Sequence, residues 1–274
     1  MKSLIKRLVN SKIGALLKIK YLGNSKLSII IRNSLKIGSV NIKTYDNNKA
    51  VSTVSDIFLW RTDNGFKTKF KFADILKMFY EVEGSWVEVH FYTKDNKLLK
   101  IQKIESLNNV NEIDITSEFL GNIKDFGNFY IFHFCSEKSK ILIDDNILSN
   151  RCYVGYSKNN NLNSFMHGNA YAKFTSVYRD ESIKSDIVRT SFFKNSEYTV
   201  QKYFDDFDKS EIFVSNPTSK TLKFSINNKN YNLKPACAMN LDVKQPILTI
   251  KSNCMFLRPT VFSYKGEYLD VHHS

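Results

Sequence analysis

Residues 86–92 read WVEVHFY, in which Val87, Val89 and Phe91 alternate with Trp86, Glu88, His90 and Tyr92. Successive side chains of a β-strand point to opposite faces of the sheet, so this alternation predicts a strand with one buried face. Apolar runs of strand length recur along the chain, and they are Leu27–Arg32, Asp56–Trp60, Leu98–Ile104, Ile113–Thr116, Phe129–Cys135, Lys140–Asp144, Tyr198–Phe204, Ile212–Ser215, Thr221–Ile226, Tyr231–Leu233, Met239–Val243, Leu248–Lys251 and Met255–Phe262.

Many short strands with few helices predict a mainly β fold of antiparallel β-sandwich architecture. We expect two consecutive sandwich-like domains, a first β-rich domain over residues 45–145 and a second sandwich over residues 146–274. A basic N-terminal arm over residues 1–44 precedes them. One short helix is predicted between Lys71 and Val82 in the first domain, with Gly84 placed to end it. One continuous body is the alternative to two domains.

The positive charge is concentrated at the N-terminus. The chain has 274 residues and a formal net charge of +13. Ten of its 40 Lys and Arg, but none of its 27 Asp and Glu, lie between Met1 and Thr44, so the remaining 30 basic residues leave a net charge of only +3 elsewhere. A nucleic-acid-binding domain needs clustered positive charge on its folded surface, so a nucleic-acid partner is not expected.

Residues 1–22 are predicted to form a basic amphipathic helix. Its apolar side chains, which include Leu4, Leu8 and Leu16, fall within one half of the helical wheel, and Lys6 and Lys18 fall on the other. Such a helix can bind an anionic membrane surface or an acidic protein. Two alternatives are a helix docked on its own domain and an organellar targeting segment, which has a similar composition.

The cysteines and the hydropathy pattern indicate a cytoplasmic protein, with peripheral membrane association through the arm. No apolar run approaches the roughly 20 residues of a membrane span. The four cysteines lie in or beside apolar runs and match no zinc-site spacing, so we interpret them as buried thiols, with disulfides as the alternative. They are Cys135, Cys152, Cys237 and Cys254.

Common catalytic templates are missing from the sequence, which holds no Walker loop, GxGxxG, GxSxG, HExxH or EF-hand loop. One candidate ligand site follows an apolar strand at residues 60–65, WRTDNG. Its Arg61 and Asp63 could bind an anionic or hydroxyl-rich ligand, and Arg258, at a predicted strand edge, could bind one too. An ordinary turn that ends the strand is the alternative for residues 60–65, because Asp-Asn-Gly is typical turn chemistry.

Two short polar segments carry histidines. His167 precedes Gly168 on a predicted loop, and Asp270 and His272 share one face if the C-terminus is extended. Together His167, Asp270 and His272 would form a two-histidine, one-carboxylate set of the kind that binds a divalent transition metal. A hydrogen-bonded turn is the alternative for His167, and no cofactor at all is the alternative for the set.

These observations leave two hypotheses about function. The first is a non-catalytic β-sandwich binding or assembly protein, which contacts a glycan or a protein and associates with a membrane surface or acidic partner through residues 1–22. The second is a metal-dependent enzyme on a β-sandwich, with His167, Asp270 and His272 as ligands and Arg258 or Arg61 holding an anionic substrate. The charge segregation and the missing catalytic templates favour the first.

Overall fold

The structure is a computed structural model that describes residues 52–136, 147–149, 152–168, 170–176, 185–186, 188, 190, 195–201, 206–242, 245–254 and 257–273. Of these residues, 61% lie in strands and 3% in helix, which confirms the predicted mainly β, antiparallel fold. The predicted N-terminal arm and its helix lie outside the described residues. Across the described ranges, no helix has both the length and the apolar character to span a membrane.

The described residues contain nineteen strands and one helix. The first ten strands are β1 Ser52–Arg61, β2 Phe66–Ala73, β3 Trp86–Thr93, β4 Leu98–Ile104, β5 Val110–Ile115, β6 Phe126–Phe134, β7 Ile147–Ser149, β8 Tyr153–Lys158, β9 Ser164–His167 and β10 Ala170–Ser176. The other nine are β11 Ser185–Asp186, β12 Ser196–Gln201, β13 Lys209–Ser215, β14 Leu222–Ile226, β15 Lys229–Leu233, β16 Ala238–Leu241, β17 Ile247–Ser252, β18 Thr260–Lys265 and β19 Tyr268–His273. Helix α1, Ile75–Tyr80, lies between β2 and β3.

The strands form four sheets. The largest has the order β11-β10-β1-β6-β3-β4, with β7 pairing in parallel with β1, and three four-stranded sheets have the orders β5-β2-β8-β9, β16-β13-β18-β19 and β12-β17-β14-β15. Every pairing other than β1 with β7 is antiparallel. The stretch WVEVHFY lies in β3, between β4 and β6, and Val87, Val89 and Phe91 are completely buried, as the alternation predicts.

The four sheets are arranged in a propeller-like ring, and they do not clearly divide into the two expected sandwiches. The reason lies in the largest apolar core. It joins Phe58 and Phe70 of the N-terminal half with Phe213 and Phe262 of the C-terminal half. A second core, which includes Val214 and Ile250, lies between the sheets that contain β13 and β17. The proposed boundary at residue 145 falls outside the described residues and stays a prediction.

Helix α1 is shorter than predicted. Residues Phe66–Ala73 form strand β2 because they alternate between buried and exposed positions and pair with both β5 and β8. The Asp74 carboxylate then caps the helix by accepting a hydrogen bond of 3.1 Å from the Lys77 backbone amide. Glu81, with a left-handed φ of 55°, ends the helix, so Gly84 lies beyond it.

Candidate functional site

Arg61, the last residue of β1, lies in a buried ion network. Its Nε donates a hydrogen bond of 2.7 Å to Asp63 Oδ1, and its Nη2 donates one of 3.2 Å to Asp63 Oδ2. Its Nη1 donates to Glu211 Oε2 at 2.6 Å and to the Tyr264 hydroxyl at 3.0 Å. Tyr264 in turn donates to Glu211 Oε2 at 2.6 Å. The guanidinium therefore joins β1 to β13 and β18.

Aromatic rings enclose this guanidinium, and the residue is only 1% exposed. The carbon Cζ of Arg61 lies 3.9 Å from the ring centroid of Phe66 and 5.1 Å from that of Phe262. Burial acts to raise the pKa of Glu211, but the hydrogen bonds from Tyr264 and Arg61 outweigh burial, so the pKa lies below its ordinary value. A ligand-binding role for Arg61 and Asp63 stays a prediction.

The C-terminal strand brings Asp270 and His272 together as predicted, with 3.1 Å between Asp270 Oδ2 and His272 Nδ1. His167 lies on β9, next to this strand, because the Val271 amide donates a hydrogen bond of 2.8 Å to the Ser164 hydroxyl. However, the His167 ring packs against Tyr153, with 4.5 Å between the ring centroids. Among the described residues, no group of three or more His, Cys, Asp and Glu side chains is placed to hold a metal ion. The structure thus pairs Asp270 with His272 and packs His167 against Tyr153, and a metal site formed by the three residues stays a prediction.

The predicted ligand residue Arg258 is exposed and influences a carboxyl group that the sequence analysis did not select. That group belongs to Asp56, which lies where the register between β1 and β10 shifts. Burial raises the pKa of Asp56 to about 7, and the positive charge of Arg258 opposes this rise. Burial, followed by the charge of Asp56, also raises the pKa of the Cys152 thiol well above its ordinary value. Asp56 can therefore exchange a proton near neutral pH.

Gly168 leaves the space that the Asp56 side chain occupies. A Cβ atom at position 168 would overlap the carboxylate of Asp56, so the glycine allows the segment between β9 and β10 to approach β1 closely. The segment that contains His167 and Gly168 was selected in the sequence for its histidine. In the structure, Gly168 is the residue of this segment that lies against Asp56. Asp56 begins an apolar run in the sequence, and only the pairing of distant strands reveals its surroundings.

A cavity of about 620 Å³ lies on the sheet of order β12-β17-β14-β15, and we call it the amide groove. Its side chains are mostly amides, hydroxyls and ammonium groups. The amides are Asn195, Asn230, Asn232 and Asn253, and the hydroxyls are Thr190, Thr221 and Ser225. Three lysines, Lys220, Lys223 and Lys251, and two aromatic residues, Phe224 and Tyr231, complete the described lining.

The floor of the amide groove consists of two rows that cross the strands. In the first row Lys251 of β17 is the register partner of Ser225 of β14, and Ser225 is the partner of Asn230 of β15. In the second row Lys223 pairs with Asn232. The Lys223 backbone amide also donates a hydrogen bond of 3.2 Å to the Asn253 side-chain oxygen. Polar groups of three neighbouring strands therefore lie side by side.

Alternation along β14 explains why this floor is polar. Leu222, Phe224 and Ile226 are buried in the core, so the residues between them face outward. Phe224 stacks on Tyr231, with 5.2 Å between the ring centroids and an interplanar angle of 18°. The apolar layer beneath the groove fixes the positions of the polar residues above it.

Both strands of this hairpin were predicted from the sequence, but the polar surface that they form was not. Thr221–Ile226 and Tyr231–Leu233 were expected as strands, and the structure forms β14 from Leu222 and β15 from Lys229. The available signal was the alternation of Lys223 and Ser225 with apolar residues. The partner strand β17 could not be inferred from that signal.

Comparison with known proteins adds no functional assignment, because no protein-family model matches the chain and no curated protein is significantly similar to it.

Proposed function

We propose that this protein is a non-catalytic binding protein whose ligand is a glycan bound in the amide groove. The observation that carries the proposal is the pair of cross-strand polar rows over a fixed aromatic layer. The groove has a volume of about 620 Å³, which lies within the range of ~300–1,000 Å³ typical of ligand sites.

The chemistry of the groove matches the chemistry of a sugar. Each side-chain amide offers two donor hydrogens and an acceptor oxygen, and a sugar hydroxyl both donates and accepts. Asn230, Asn232 and Asn253 can therefore bind neighbouring hydroxyls of a single ligand. The described lining residues include no carboxyl or imidazole group that could act as a general acid or base. This composition supports binding rather than hydrolysis.

The N-terminal arm supplies the second part of the proposal. Its ten basic residues and its predicted amphipathic helix support contact with a membrane surface or an acidic partner. Removal of residues 1–22 is expected to abolish binding to vesicles of anionic lipid and to leave glycan binding unchanged. A truncated protein that unfolds or aggregates would instead identify the arm as a part of the folded body.

The glycan proposal is tested by measuring the binding of the full chain to a panel of immobilised oligosaccharides. The double variant Asn230→Ala/Asn232→Ala removes two amides from the exposed face of the edge strand β15. Each lost hydrogen bond to a neutral group costs about 0.5–1.5 kcal/mol, so the loss of two is expected to weaken binding of the best ligand roughly five- to 150-fold. Asn161→Ala, at an exposed asparagine outside the groove, is the matched control and is expected to bind as the unchanged protein does.

Two results would overturn the proposal. If no oligosaccharide binds, the two rows are only the solvated face of a sheet. If Asn161→Ala weakens binding as much as the double variant, the glycan binds elsewhere on the protein. Circular dichroism and thermal melting of each variant show whether the sheet remains folded.

A further inference from the structure

The amide groove carries positive charge. Lys220, Lys223 and Lys251 line it, and none of its described lining residues is an Asp or Glu. The part of the chain that follows the arm has a net charge of only +3. The three lysines around this groove are therefore a local concentration of positive charge. The nearly balanced charge of the chain after the arm does not explain it.

Lys223 is the one of these three lysines that lies on the interior strand β14. It is exposed, and its register partner Asn232 and its neighbour Asn253 lie on either side of it. No acidic side chain in the described ranges forms an ion pair with Lys223, which distinguishes it from Lys69, whose ammonium pairs with Asp114 at 2.8 Å. An ammonium group between two amides can bind an anionic substituent while the amides bind the hydroxyls next to it.

Lys251 has one competing partner. Its ammonium lies 3.3 Å from Glu197 Oε2, and Glu197 is its register partner on the edge strand β12. The Glu197 side chain is 57% exposed, so this ion pair is weak and can yield to another anion. Strand spacing and rise per residue place Lys223 and Lys251, on adjacent strands and adjacent rows, roughly 8 Å apart at Cα. Two lysines at this separation can each bind an anionic group on one of two neighbouring sugar units.

We infer that the ligand of the amide groove is an acidic glycan, with Lys223 and Lys251 binding the anionic groups of its sugars. This inference rests on the proposed glycan function and narrows it to one class of ligand. The hydroxyl-binding amides supply the recognition of the sugar, and the lysines supply the preference for negative charge.

The inference is tested with two polymers that share one backbone, polygalacturonate and its fully methyl-esterified form. Both are titrated into the full chain at low and at high salt. The acidic polymer is expected to bind at least tenfold more tightly at low salt, and this preference is expected to shrink at high salt because salt screens exposed charges.

Three variants assign the preference to the groove. Lys223→Gln is expected to weaken binding of the acidic polymer three- to tenfold and to leave the esterified polymer unchanged. Glu197→Gln removes the carboxylate that competes for Lys251 and is expected to strengthen acidic binding about two- to threefold. Lys97→Gln removes the same charge from an exposed turn outside the groove, and its binding is expected to stay within twofold of the unchanged protein.

The possible failures are distinguishable. Equal binding of the two polymers, or equal losses in Lys223→Gln and Lys97→Gln, overturns the acidic-glycan inference and leaves the glycan function standing. Absence of binding to both polymers and to every oligosaccharide of the panel overturns the inference together with the proposed function.

Discussion

The Arg61 guanidinium donates a hydrogen bond of 2.6 Å to the Glu211 carboxylate, although 150 positions of the sequence separate the two residues. Arg61 ends β1 in the N-terminal half, and Glu211 lies on β13 in the C-terminal half. Their ion pair crosses the same region in which Phe213 and Phe262 join the largest apolar core. Electrostatic and apolar contacts therefore hold the two halves together at one place.

Loss of the Arg61 charge is expected to destabilise the fold strongly. Arg61→Met removes the buried cation from the partly buried carboxylates of Asp63 and Glu211, and removal of one partner of a buried ion pair costs about 3–5 kcal/mol. Because the Glu211 side chain is 19% exposed to solvent, we expect a cost near the lower end of this range. Urea unfolding at neutral pH measures the change in the free energy of unfolding.

A surface lysine provides the control for this experiment. Lys69→Met breaks the ion pairs of Lys69 with Glu112 and Asp114, and exposed pairs contribute only about 0–1 kcal/mol. Equal losses in Lys69→Met and Arg61→Met would show that the Arg61 network does not stabilise the junction of the two halves.

Local sequence patterns predicted the strands well, because the burial of side chains along one strand follows the order of neighbouring residues. The alternation of residues 86–92 reports which side chains of β3 are buried, and it does so without any knowledge of the partner strands. The same reasoning misplaced the start of α1. Residues 72 and 73 fall within the predicted helix, but pairing of β2 with β5 and β8 decides their structure.

The candidate sites depend on contacts that no local pattern contains. Asp63 is two residues from Arg61, so their proximity could be predicted, whereas the ion pair with Glu211 required the tertiary fold. The two polar rows of the amide groove likewise require β17 to pair with β14. The sequence therefore predicted elements of the sites, and the sheet order determined which of them meet.

Asp56 is expected to make stability fall as the pH rises. Its pKa is about 7 in the fold, against an ordinary value of 3.8, so the folded protein binds this proton more tightly. The stabilisation is complete below pH ~4 and is lost as the pH rises through ~7. In the Asp56→Asn variant, the free energy of unfolding relative to the unchanged protein should rise with pH across this window, by roughly 1.4 kcal/mol per pH unit. Urea unfolding at several pH values measures this difference, and a difference that does not change with pH would contradict the raised pKa.

His133 is expected to act in the opposite direction. Burial lowers its pKa from 6.5 to about 3, so the unfolded chain binds this proton more tightly. The stabilisation is present above pH ~6.5 and is lost as the pH falls towards ~3. The effects of Asp56 and His133 oppose each other between about pH 4 and 6.5. The variant His133→Gln lacks this group. Its free energy of unfolding should therefore rise relative to that of the unchanged protein as the pH falls from about 6.5 to about 4.

The two glycines Gly127 and Gly155 are expected to differ in their tolerance of a methyl group. A Cβ atom at Gly127 would overlap the Tyr92 backbone oxygen, which accepts a hydrogen bond of 2.8 Å from the Trp60 indole. A Cβ atom at Gly155 would have the ring of Phe165 as its nearest neighbour, and this ring is partly exposed and able to rotate away. Gly127→Ala should therefore cost about 1–3 kcal/mol or more and Gly155→Ala clearly less, as measured by thermal and urea unfolding. Equal costs would show that the approach of β3 to β6 does not require a glycine.

The four cysteines, all within the described residues, are reduced thiols, as the sequence predicted, and their burial determines how they will react. Cys135, Cys152 and Cys254 are at most 1% exposed, and Cys237 is 7% exposed. Since the nucleophile is the thiolate and it must be accessible to the thiol reagent, the native protein should react slowly and first at Cys237. Four thiols per chain should react in urea without a reductant, and Cys237→Ser should remove the fastest phase of the native reaction. Two or fewer reactive thiols in urea would show that the purified chain contains disulfides, whereas a fastest phase that survives in Cys237→Ser would place the most accessible thiol at one of the other three positions.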